Sequence, residues 1–173
     1  MAEALLRDRL RRLGVDANVT SAGELPGGAP ASGGSIRMMA ARGLDLAGHV
    51  SRTVTIAELR RADLILAMAR RHLRFAVGLA PEVFSRTFTV KELARRGSAI
   101  GPRRHGQSLA DWLAAVHDGR TTAALLGDDR ADDVADPIGK PDPAYAVTAR
   151  ELETLLDTVV ALAFSSAERR ETA

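Results

Sequence analysis

The sequence contains no cysteine, and this single absence removes disulfides, thiolate nucleophiles, cysteine-ligated zinc and thiol relays from its 173 residues together. Aromatic residues make up only 3% of the chain, so a core has to be assembled from leucine, alanine and valine. No apolar run approaches the roughly 20 residues of a membrane span. The charges throughout Met1 to Leu13 are unlike a secretion signal. Charge of one sign is also lacking: Lys+Arg 24 against Asp+Glu 22 leaves +2, with the arginines dispersed in pairs among acids instead of gathered into a nucleic-acid footprint. The expectation is a soluble cytoplasmic protein with neither nucleic acid nor membrane among its partners.

What is present is enough to fold. With 46% hydrophobic and 27% charged residues the chain reads as globular. Its length suits one domain, taken here as residues 1–164 followed by a polar tail at 165–173. Met1 to Leu13 places Leu6, Leu10 and Leu13 at helical spacing ahead of Gly14, with no Ser, Thr, Asp or Asn to cap the start. Asn18 to Ala22 reads as a short strand, the Gly- and Pro-rich stretch from Gly23 to Gly34 as loop, and Ser35 to Arg42 as helix.

Ile56 to Arg61 is a short helix leading into the apolar run Asp63 to Met68, which shows no alternation and so suits a strand buried on both faces. Arg70 to Val77 reads as helix, Val83 to Thr87 as strand and Val90 to Arg96 as helix, an alternation that points to an α/β domain. Gly97 to Gly106 reads as a basic loop, Leu109 to Val116 as a helix with Trp112 in its apolar stripe, and Gly127 to Asp133 as an acidic loop. Tyr145, Ala149, Leu152, Leu156, Val159 and Ala163 then give the strongest helical periodicity in the chain.

Few residues offer chemistry. Asp136 precedes Pro137, which restricts its backbone to extended conformations; a carboxyl held this way is either a positioned general acid or a turn residue capping local amides. His49 lies in a polar loop with no sequence-placed Ser or Asp partner, and reads as a satisfied loop histidine or a catalytic base. His72, His105 and His117 show no metal-binding spacing, so no metal and no cofactor is expected. Gly27-Gly28 and Gly33-Gly34 fit neither nucleotide-loop pattern.

Taken in order, Met1 to Arg7, Val19-Thr20-Ser21-Ala22-Gly23, Gly43 to Leu46 with His49 to Arg52, Ala62 to Met68 with His72, Phe88 to Leu93, and Asp136-Pro137-Ile138-Gly139 with Tyr145 resemble the low-molecular-weight protein tyrosine phosphatases. The similarity runs from Met1 to about Phe164. It implies a flavodoxin-like α/β domain: a parallel four-stranded sheet, ordered second, first, third, fourth, with helices on both faces. It also implies a cysteine nucleophile in a C-x-x-x-x-x-R phosphate loop after the first strand, followed by Ser-Pro-Met-Ala-Glu.

The chain starts at that methionine, so the first, inner strand and the nucleophile loop are absent from it. The expectation is a start codon placed at an internal methionine, roughly 20 residues late, counting a strand of 5 to 6 residues plus the loop. As it stands, the chain is expected to be inactive.

By the same resemblance, Asp136 is the general acid and base that protonates the leaving-group oxygen and later activates water. Ser21 and His49 support the phosphate loop, and Ile138 occupies a position where many members carry an aromatic. The implied partner is a phosphorylated protein or small phosphoester, with phosphotyrosine, phosphoarginine and small phosphoesters all open as substrates. An alternative is a non-catalytic binding or regulatory remnant whose sheet is completed by a partner chain. An arsenate reductase is a lesser alternative, because its relay needs cysteines.

Overall fold

The computed structural model describes residues 1–125 and 130–164. The polar tail at 165–173 and part of the Gly127 to Asp133 loop lie outside the described residues. The chain divides into two compact units, Met1–Thr55 with Val134–Asp157, and Ile56–Asp133 with the chain from Thr158 onward.

In the first unit, helix α1 spans Ala2–Arg12, and Met1 supplies no side-chain cap. Its buried face is Ala4, Leu5, Asp8 and Leu10. Leu13 of the expected stripe is 46% exposed. The face is rotated because Asp8 turns inward, and it does so with its charge answered by Arg11 at 2.9 Å and Arg12 at 2.8 Å. Helix α2, Gly33–Ala40, starts two residues before the sequence suggests, since the Ser32 hydroxyl caps the Ser35 amide. It buries Met39 completely.

Asn18 to Ala22 forms no strand, which corrects the expectation. The carbonyls that would enter a ladder accept from side chains instead: Val19 O from Arg7 Nη2 at 2.8 Å and Ser21 O from Arg52 Nε at 2.9 Å. Ladder pairing nearby is limited to isolated bridges, Gly23 with Thr53 and Pro30 with Val50.

The second unit opens with α3 (Ile56–Arg61), then strand β1 (Ile65–Ala67), helix α4 (Arg70–Leu79) and strand β2 (Thr87–Thr89). The strands pair parallel, Ile65 opposite Thr87 and Ala67 opposite Thr89, with α4 as the crossover. The class is α/β as expected, but the sheet has two strands among the described residues, where the resemblance implies four. Val83 to Thr87 is not the second strand. Pro81 opens a 3-10 helix over Pro81–Arg86, its fixed φ suiting a first helical position, and pairing starts only at Thr87.

Helix α5 (Val90–Ile100) follows, capped by Thr89 Oγ1 accepting from Glu92 N at 3.0 Å. It runs through Gly97, so the expected basic loop begins only at Gly101, which ends the helix at φ 92°. Gly97 has to be small: a Cβ there would stand 3.1 Å from the Trp112 ring. Trp112 belongs to α6 (Leu109–His117), is 1% exposed, and donates from Nε1 to Gly101 O at 2.9 Å. A second 3-10 turn covers Thr122–Leu125.

The last helix, α7 (Asp142–Ala163), has residues in both units. All six positions of its expected stripe, from Tyr145 to Ala163, are buried. Among the described residues no helix is long and apolar enough to cross a membrane.

Candidate active site

The three candidates, Ser21, His49 and Asp136, all fall in the first unit. Asp136 sits on the loop that enters α7. Val134 anchors that loop by burial at 8% exposure, and Thr148 Oγ1 of α7 donates to Ala135 O at 3.1 Å. Beyond it, Lys140 N donates to Pro137 O at 2.9 Å, closing a turn with Gly139 at φ 73°. Asp136 Oδ1 accepts from Ile138 N at 3.0 Å while the residue itself remains exposed. The turn-residue reading of Asp136 describes this contact, with one oxygen capping the turn and the carboxyl exposed. Ile138 beside it is 69% exposed.

Ser21 donates from Oγ to the carboxylate of Glu3, which also receives Arg7 from the next turn of α1. Glu3 is a residue that sequence reasoning missed. Burial alone would raise its pKa, but the Ser21 hydroxyl, the Arg7 guanidinium and the nearby His49 together hold it below the usual carboxylate value. Glu3 thus joins Ser21 and His49 around one charge. The Asp136 carboxyl bonds to none of the three among the described residues. The local signal for Glu3 was its i,i+4 relation to Arg7; its bond to Ser21, 18 residues away, has no sequence signature.

Main-chain pairing fixes the His49 segment. His49 N donates to Leu46 O at 3.1 Å, Ser51 N to Ala29 O at 2.8 Å and Gly28 N to Ser51 O at 2.8 Å. Gly23 N donates to Arg52 O and Val54 N to Gly23 O, both at 2.9 Å. Gly27 lies so close that a Cβ would stand 2.7 Å from both Arg52 Cα and Ser51 O. Gly27 permits this backbone approach, and Gly28 N is engaged with Ser51 O, in keeping with the loop reading and the absence of a nucleotide-loop pattern.

These residues offer an exposed carboxyl at Asp136 and, apart from it, a Ser21 hydroxyl donating to the Glu3 carboxylate. They include no thiol.

The sequence profile described as low molecular weight phosphotyrosine protein phosphatase matches residues 1–99, a stretch that includes Ser21 and His49 and stops before Asp136. The protein is 32% identical over 78 residues to the low molecular weight protein-tyrosine-phosphatase Etp of Escherichia coli K12, covering 45% of this chain and 53% of Etp. The chain thus spans about half the length of the curated relatives it matches.

Among solved structures it resembles a low molecular weight protein tyrosine phosphatase from T. tengcongensis, at 29% identity and TM-score 0.68, over 92% of this chain and 86% of the other. It also resembles the YwlE arginine phosphatase from Geobacillus stearothermophilus, at 28% identity and TM-score 0.63, over 91% and 79%.

Proposed function

Because the chain belongs to the low molecular weight phosphotyrosine protein phosphatase family, we propose that its 173 residues form the acid-bearing and loop-supporting part of a phosphomonoester-cleaving site. The substrate is a phosphotyrosine or related phospho-residue, phosphoarginine and small phosphoesters included, met in the cytoplasm. The attacking thiolate is not among these residues, so alone they are inactive. Once a cysteine-bearing loop engages the substrate, its sulfur bonds to phosphorus as the bond to the leaving group breaks, and Asp136 gives its proton to the departing atom, the oxygen of an ester or the nitrogen of phosphoarginine. Asp136, now a carboxylate, then takes a proton from the water that releases phosphate from sulfur. Glu3, Ser21 and His49 act behind that loop by holding its supports in place.

The observation that carries this reading is Asp136 itself, exposed on a turn pinned through Val134 and Thr148. The 173-residue chain is expected not to hydrolyse p-nitrophenyl phosphate, and turnover by it would overturn the proposal. A fusion that places a strand and a C-x-x-x-x-x-R loop ahead of Met1 is expected to hydrolyse it. Asp136→Asn in that fusion should lower the rate on poor leaving groups by about 10²-fold or more; an unchanged rate would remove Asp136 from its role.

A second reading draws on the missing thiol together with the outer edge of β1, which no strand covers among the described residues. It is a non-catalytic binding module that accepts a strand from a partner along that edge. A cooperative thermal transition for the isolated chain, with no activity in the fusion, would favour this reading.

A further inference from the structure

Asn18 to Ala22 has the composition of a strand and forms none, and local sequence rules fail most where a site constrains the chain. Here the constraint is visible. Arg52 grips the segment at two points: its main-chain carbonyl accepts from Gly23 N and its Nε donates to Ser21 O, both at 2.9 Å. Arg7 Nη2 donates to Val19 O at 2.8 Å and also to the Glu3 carboxylate. With the chain held on either side, at Val19 and at Gly23, the Ser21 hydroxyl donates to that same carboxylate.

Arg52 is itself set by its surroundings. A Cβ on Gly27 would stand 2.7 Å from Arg52 Cα, so glycine is what lets the two stretches of main chain come this close. Gly28 N donates to Ser51 O at 2.8 Å, Ser51 N to Ala29 O at 2.8 Å and Ala29 N to Ser51 Oγ at 3.0 Å. These bonds fix the main chain leading into Arg52, from which its side chain reaches Ser21.

We infer that Arg52 is a positioning residue: its guanidinium holds the Ser21 carbonyl so that the Ser21 hydroxyl meets Glu3, and the close approach of Gly27 holds Arg52 in place to do so. A hydroxyl is a rotor with no direction of its own, and a main chain fixed on both sides limits where it can point. The bearing of this on hydrolysis rests on the reading of Ser21 as a support of the phosphate loop, whereas the contact itself does not.

NMR titration of the Glu3 carboxyl in the full 173-residue chain tests it, with circular dichroism to check each fold. Burial raises the pKa of that carboxyl, and the Ser21 hydroxyl, then Arg7 and the charge of His49, more than offset it. Ser21→Ala should therefore raise it, and Arg52→Met should raise it too. Arg52 is not among the charges that act directly on Glu3, so its effect has to travel through Ser21. The double variant should accordingly titrate like Ser21→Ala alone. Gly27→Ala, which displaces the Arg52 main chain, should act in the same direction as Arg52→Met. Arg37→Met, which removes an exposed arginine paired with Asp142, should leave Glu3 where it is.

A Glu3 titration unmoved by Arg52→Met overturns the inference. So does a further rise in the double variant or an equal rise in Arg37→Met, either of which would mean that lost positive charge alone moves Glu3. In the fusion carrying a C-x-x-x-x-x-R loop, Arg52→Met should lower kcat about tenfold or more on good and poor leaving groups alike. An unchanged kcat there, with Asp136→Asn slowed, overturns the catalytic bearing of Arg52 and leaves the role of Asp136 standing. A fusion that hydrolyses nothing overturns the phosphatase reading, and the Glu3 titration then decides Arg52 by itself.

Discussion

The carboxylate of Glu3 receives the Ser21 hydroxyl and the Arg7 guanidinium while only 17% exposed, so its charge is both partly desolvated and answered. Its pKa is depressed in the folded chain relative to the ordinary value of 4.5. A carboxyl of this kind stabilises the fold above the unfolded pKa, and the contribution is lost as pH falls through the folded one. Glu3→Gln is therefore expected to cost about 1–2 kcal/mol at neutral pH. The gap to the parent should close on acidification below the carboxylate range. Urea titrations at neutral and acid pH measure this, and a gap independent of pH would mean that Glu3 matters through shape alone. Asp8 shows the complementary pattern: both its partners, Arg11 and Arg12, lie on the same helix at i+3 and i+4, while its burial departs from the stripe the sequence suggests.

Where α2 meets α7, one missing atom sets the fit. An ideal Cβ on Gly34 would stand 2.6 Å from the Tyr145 ring, and that ring is 5% exposed with little room to retreat. Gly34→Ala should destabilise by about 1–3 kcal/mol despite the better helix propensity of alanine. Gly33→Ala next to it meets only the flexible tip of Arg37, at 3.2 Å, and should be neutral or mildly stabilising. Equal effects of the two substitutions in thermal melts would refute the contact.

Elements whose signal is local were legible in the sequence: the α7 stripe, α3, the βαβ alternation through α4, and α6 with Trp112 inside. Strands were legible only in part, because a strand is completed by a neighbour. Asn18 to Ala22 has strand composition, yet two of its carbonyls go to arginine side chains. Val83 to Thr87 was overridden by Pro81 just ahead of it. The candidate site was legible by resemblance for Ser21, His49 and Asp136, and not for Glu3, whose decisive contact is distant along the chain.

Across the whole molecule a net charge of +2 conceals many partnered carboxylates. Asp8 with Arg11 and Arg12, Glu82 with Arg60, Asp142 with Arg37 and Glu153 with Arg42 all have pKa values held below the ordinary ones, chiefly by hydrogen bonds from those arginines. Their stabilisation fades as pH drops through the carboxylate range, and the exposed pairs contribute little each.

His117 adds an earlier step of the same sign. Burial first, then the charges of Arg120 and Arg96, push its pKa below the ordinary 6.5. The geometry agrees: Nδ1 lies 3.0 Å from Arg120 Nη1, a donor that needs a free lone pair on the ring, and the imidazole packs edge-on against Phe84 at 4.9 Å. Between the folded pKa and 6.5 the unfolded chain binds the proton more readily, so stability falls as pH decreases through that window. Acid unfolding should accordingly proceed in two stages, the first beginning near pH 6.5 and the second in the carboxylate range. His117→Gln, which keeps an acceptor for Arg120 and cannot titrate, should flatten the first stage and leave the second. Added salt should shrink the second stage more, because its pairs are the more exposed. Urea midpoints across pH decide it: a first stage that survives His117→Gln would place the titrating group elsewhere.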